Sequence, residues 1–156
     1  LNTSVTQTLD IWDVYDKAAE SAGYVAGPEQ RGYLIRCHVA DTEEKAINEA
    51  EPFQQEQIKA LAPLGRFPNL SHEQIEATFD PDLAPLAGLP TVRDAVKDGS
   101  WLCGPPKHIA DKISELLDRF PNLERISVGA GALGMPPSVI RKDIKWFGEE
   151  VLPKFI

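Results

Sequence analysis

Cysteine, methionine and histidine are scarce: two, one and three residues respectively in a chain of 156. The cysteines, Cys37 and Cys103, lie far apart and form no Cys-x-x-Cys pair. The sequence therefore supports no disulfide framework, and a reduced, cytoplasmic setting is the expectation. His72 and His108 stand in polar settings without ligand spacing, and His72-Glu73 lacks the second histidine of a zinc helix. No metal site is expected. Positive charge is also short, with Lys+Arg at 16 against Asp+Glu at 24 and a net charge of -8. Such a chain repels a phosphate backbone, so nucleic acid is not an expected partner. No apolar run approaches the length of a membrane span, and no basic amphipathic helix points to a membrane surface. The opening residues, Leu1 to Thr6, have neither the basic nor the apolar region of a signal peptide.

What is present is an ordinary globular composition, 42% hydrophobic and 26% charged, with 13 prolines and 11 glycines. The length suits one domain with a real core. From Leu9 to Ala22 the spacing predicts a helix with Ile11, Val14, Tyr15, Ala18 and Ala22 on one face, ended by Gly23. Tyr33 to Val39, bounded by Gly32 and Asp41, reads as a buried strand. Asp41, with Glu44 three residues on, predicts a capped helix through Ala46, Ile47, Ala50 and Phe53. Pro52 is expected to kink or interrupt it. Residues 62–99 read as an irregular insertion punctuated by Pro63, Pro68, Pro81, Pro85 and Pro90, with short helices at His72–Phe79 and Thr91–Lys97. A lid and a packed excursion fit that pattern equally. Cys103-Gly104-Pro105-Pro106 is expected to open a helix striped by Ile109, Ile113, Leu116, Leu117 and Phe120 and stopped at Pro121-Asn122. Arg125 to Val128 predicts a second strand, Gly129 to Gly134 a loop, and Pro136 onward a last helix with Ile140, Ile144, Phe147 and Val151 inward.

Strands alternating with helices argue for an α/β fold with a parallel sheet. Two short strands do not make a stable sheet alone, and a closed (β/α)8 barrel takes about 250 residues. Further strands are expected from upstream sequence, a second chain or a symmetry mate; a small α+β domain is the other reading.

Three segments carry a family resemblance. Ala18-Ala19-Glu20-Ser21-Ala22-Gly23-Tyr24, followed by the run from Arg31 through Val39-Ala40-Asp41-Thr42 to Ala46, resembles a helix, penultimate strand and helix start of luciferase-like flavin-dependent monooxygenases. Cys103-Gly104-Pro105-Pro106-Lys107-His108-Ile109-Ala110 is similar to that family's Gly-Ser-Pro-Glu-x-Val-Ala element. Phe147-Gly148-Glu149-Glu150-Val151-Leu152-Pro153 is similar to its terminal Phe-Ala-x-Glu-Val-Met-Pro helix. The resemblance implies a partial (β/α)8 TIM-type barrel over residues 1–156, made of the C-terminal β/α units with the helical insertion. It implies FMN, as reduced flavin, with O2 and an organic substrate, a flavin reductase, and a homodimer or association with the missing barrel half. It also implies a Gly-Ser-Gly-Ser phosphate segment upstream, which this sequence lacks, so FMN is expected only in the complete barrel.

Barrel sites lie at the C-terminal strand ends, which selects His38 and the segment Gly129 to Met135. His38 is a hydrogen-bond or proton donor toward flavin or substrate, or a half-buried histidine bonded to local backbone. Gly129 and Gly131, with Ala132 between the turn glycines, let backbone approach a ligand, or make a plain strand-to-helix turn. No catalytic residue is identified. Cys37 reads as a small core residue, Trp101 as a structural anchor, and Asp80 and Asp82 as turn residues. The functional readings are an FMN-dependent monooxygenase represented by its C-terminal portion, a non-catalytic half-barrel partner, and an unrelated α+β binding domain.

Overall fold

The computed structural model describes residues 4–67, 70–121 and 123–156. Leu1 to Thr3, Pro68 and Asn122, which figure in the readings above, lie outside the described residues.

Helix α1 spans Val5–Ser21. Ser4 caps it, accepting from the Gln7 N–H while the Gln7 side chain accepts from the Ser4 N–H. Its inward side is not the expected stripe. Thr8 and Ala19 are buried and Trp12 meets Phe120 edge-on at 5.2 Å, while Ile11 and Val14 are exposed. Aromatic burial at Trp12 outweighs the weaker pull of the aliphatic row.

Strand β1, Tyr33–Val39, forms where expected. Helix α2, Glu43–Leu61, is capped by Thr42, not Asp41: the Thr42 hydroxyl accepts from the Lys45 N–H. It runs through Pro52 without interruption. Buried Ala46, Ile47 and Ala50 before the proline, and Gln54 and Ile58 after it, tie both halves to the body. Two short helices follow, α3 at His72–Ala77 and α4 at Val92–Lys97. Ile58, Ala62 and Leu89 form a satellite core under this segment, joined by Phe67, Leu70 and Ile75. The described part of residues 62–99 is thus anchored to the body through this small core.

The largest correction to the sequence reading is a third strand. Trp101–Gly104 is strand β2, and helix α5 starts only at Pro106, running to Arg119. Strand β3, Ile126–Ala130, takes in Gly129, which the sequence had assigned to a loop. Helix α6 is Pro137–Glu150. On it Ile144 is exposed, while Asp143, one position earlier, is buried.

The strands form a parallel sheet in the order β2-β1-β3. In register, Arg36 lies between Trp101 and Gly129, and His38 lies beside Cys103. A barrel in chain order would seat β2 between β1 and β3; here β1 is central. Parallel crossovers are right-handed, so partners on opposite sides of β1 send their helices to opposite faces. One face is apolar: Tyr33, Ile35, Cys37, Val39 and Leu102 pack against Ile109, Ile113 and Leu116 of α5 and against Val151. The other face carries Arg36, His38, Trp101 and Cys103 and is covered by Ala46, Ile47 and Ala50 of α2 and Val92 of α4. Among the described residues, no strand pairs with the outer edge of β2 or of β3. Nor is any helix among them long and apolar enough to cross a membrane.

Candidate functional site

The polar face of the sheet gathers its charge at the C-terminal end of β1. His38 is 1% exposed. Its Nδ1 lies 2.7 Å from Oδ2 of Asp143 on α6, and its Nε2 lies 2.9 Å from Oε2 of Glu49 on α2. The local chain explains the geometry. Strand β3 ends at Ala130, so the Val39 N–H on that side of β1 has no further strand to pair with. Asp143, itself 2% exposed, fills the gap, accepting from Val39 N–H at 3.3 Å through Oδ1. Burial alone would depress the His38 pKa, but the hydrogen bonds and charges of Asp143 and Glu49 together outweigh it, and the net shift is upward. An imidazolium donates to both carboxylates at once.

The strand-to-helix turn after β3 is equally occupied. Gly131 sits at φ +61°, and its N–H donates to Cys37 O at 2.6 Å. A Cβ there would lie 2.6 Å from both Ile140 Cδ1 and Met135 Sδ, and 3.6 Å from Asp143 Oδ2. Ala132 is buried, its N–H directed at Met135 Sδ, and the Leu133 N–H donates to Gln57 Oε1. Arg36 reaches across from β1, donating from Nη1 to Gly131 O at 3.3 Å with its guanidinium 5.6 Å over the Trp101 ring. Burial lowers its pKa from the ordinary arginine value.

His38, Gly131 and Ala132 therefore meet in one cluster, and Gly129 joins it through its register with Arg36. Neither ring nitrogen of His38 is left for a bound molecule. The histidine also bonds side chains on two helices rather than local backbone. Sequence reading missed Asp143 and Glu49. A signal for Asp143 existed: it sits three residues after Ile140 and four before Phe147, a charged residue on an apolar stripe.

The other candidates are structural. Trp101 is a buried anchor. Cys37 and Cys103 are free buried thiols, and burial pushes both pKa values up, Cys103 to about 12. Neither is a nucleophile near neutral pH. Asp80 accepts from the Asp82 N–H in a turn, His108 pairs with Glu43 at 2.9 Å, and His72 is exposed. Among the described residues no group of His, Cys, Asp or Glu is placed to hold a metal ion.

FMN would need an anion cradle. Helices α5 and α6 both open on proline pairs, Pro105-Pro106 and Pro136-Pro137, which remove N–H donors where a phosphate would sit. Glu49 and Asp143 add negative charge at the same end of the sheet. One cavity of about 550 Å³ runs beside β2, lined by Trp101, Cys103, His108, Lys112 and Arg119. Another of about 290 Å³ lies between α1 and the end of α5. Neither is lined by His38, Gly129, Gly131 or Ala132. The residues of this chain do not by themselves fit the cofactor.

No family model matches the sequence, and no curated relative matches it. Solved structures do share its fold. Monooxygenase RslO1 from Streptomyces bottropensis matches at a TM-score of 0.63 and 20% identity, over 97% of this chain and 39% of that one. The oxygenating constituent of 3,6-diketocamphane monooxygenase from the CAM plasmid of Pseudomonas putida is a type II Baeyer-Villiger enzyme solved with FMN. It matches at 0.56 and 19%, over 93% of this chain and 39% of its own. At these identities the likeness is one of fold, and the chain spans 39% of the length of each neighbour.

Proposed function

We propose that this chain is the C-terminal portion of an FMN-dependent monooxygenase, a TIM-type barrel that uses reduced flavin and O2 on an organic substrate. The observation that carries the reading is the fold likeness to monooxygenases along 97% of the chain. The unequal faces of the sheet support it. One face is mainly apolar, and the other presents Arg36, His38, Trp101 and Cys103 toward the strand ends, where barrel sites lie. In the complete protein further strands pair with the open edges of β2 and β3. The flavin supplies the oxygen chemistry when bound. The cradle for its phosphate comes from the rest of the protein. His38, Gly129, Gly131 and Ala132 then stand at the barrel's C-terminal strand ends, where the glycines let backbone approach the ligand. A flavin reductase, a homodimer and a cytoplasmic setting belong to the same proposal.

A second reading, a half-barrel partner without catalysis, is favoured by one feature. His38 and the Gly131 turn are already saturated by contacts within this chain.

Flavin titration separates the two. The full-length protein is expected to quench FMN fluorescence and turn over, while residues 1–156 alone leave the fluorescence unchanged. His38→Ala in the full-length protein is expected to lower kcat more than stability. A full-length protein that ignores FMN ends the flavoenzyme reading, and unchanged turnover in the variant removes His38 from the site.

A further inference from the structure

We infer that His38 is a proton-operated latch: as an imidazolium it ties both α2 and α6 to β1, and the loss of one proton breaks the tie to α2 and loosens that helix on the polar face of the sheet. The inference rests on contacts within this chain and stands whether or not the flavin reading does.

A neutral imidazole has one N–H and one acceptor nitrogen. Two carboxylates flank His38, and neither has a proton to donate when ionised. Once the ring is neutral, only one contact survives, and the other sets two acceptors face to face. Asp143 is buried, lies closer at 2.7 Å and also accepts from the Val39 N–H, so the proton stays on Nδ1. The Nε2 lone pair then confronts Glu49 Oε2 at 2.9 Å. The Glu49 side chain is 43% exposed, so it turns out to water. With it goes the polar contact between α2 and the end of β1.

The surrounding charges shape the transition. From α2, Lys45 lies 4.0 Å from Glu49 and 2.6 Å from Asp41, a ready second partner for the freed carboxylate. From α6 come Asp143 and, beside Asp41, Lys142. Strand β1 contributes Arg36 and Cys37. From β2 comes Cys103, which feels both Asp143 and Glu43, the latter paired with His108. The folded pKa of His38 lies above its ordinary 6.5. The latch is therefore fully closed below that ordinary value and opens as pH rises through the folded value. Opening loosens the cover over Arg36 and Trp101.

Hydrogen exchange tests this on the chain as it stands. Amide exchange in α2 and α5, corrected for intrinsic rates, is followed from about pH 6 to about pH 9 beside the His38 ring signals by NMR. The expected result is that α2 exchange rises several-fold with the His38 titration, at a midpoint above 6.5, while α5 is unchanged. Glu49→Gln keeps a side chain that donates to neutral Nε2, so α2 protection in that variant is expected to be independent of pH. Four results overturn the latch: a flat α2 profile, a His38 midpoint below its ordinary value, α5 accelerating in step with α2, or a Glu49→Gln profile like the parent.

Discussion

Gly131 shows how tightly single positions are held near the end of β1. Its φ of +61° is a conformation that L side chains rarely adopt, and Ile140 and Met135 occupy the space a Cβ would need. Gly131→Ala is expected to cost about 2 kcal/mol or more, from backbone strain plus overpacking. Urea unfolding measures it; a loss within the ordinary surface range would contradict the packing described. The importance of this glycine was legible in the sequence, because glycine after a strand marks a turn. So was the strand-end placement of His38. The partners of His38 were not. Glu49 lies on α2 and Asp143 on α6, at sequence separations of 11 and 105 from the histidine, and no local pattern couples them. Periodicity counts apolar residues, so it chose Ile144 for the inward face, when the unpaired Val39 N–H required an acceptor there.

At the scale of elements, helix α2 resists its own sequence. A proline inside a helix removes a hydrogen bond and crowds the preceding turn, at about 3 kcal/mol. The helix survives because packing on both sides of Pro52 holds it. Pro52 is exposed. Pro52→Ala is therefore expected to stabilise the chain by about 1–3 kcal/mol and raise its Tm. A fall in Tm would mean that the ring itself does structural work. Strand β2 is the opposite case, an element the sequence concealed. Four residues, Trp101–Gly104, run directly into Pro105-Pro106, and the prolines read as a helix start that swallows the strand. Its identity as a strand comes from pairing with β1, a long-range fact. The stripe of α5 was plain from sequence because Ile109, Ile113 and Leu116 fall on one helical face whatever they pack against.

For the whole molecule, the α/β class and the parallel sheet follow from alternating elements, and both are present. The strand order does not follow from that alternation. Right-handed crossovers permit β3 on either side of the β1–β2 pair, and the choice depends on which neighbours are available to cover each face. In this chain β3 lies beside β1 and α2 covers the polar face; in a complete barrel, further strands would pair with the open edges of β2 and β3. The measurement that bears most directly on the flavin reading is a structure of the full-length protein with FMN bound. The account predicts further strands on the open edges of β2 and β3, and His38, Gly129, Gly131 and Ala132 at the strand ends that face the flavin. Edges of β2 and β3 still open, or FMN bound away from these strand ends, would contradict it.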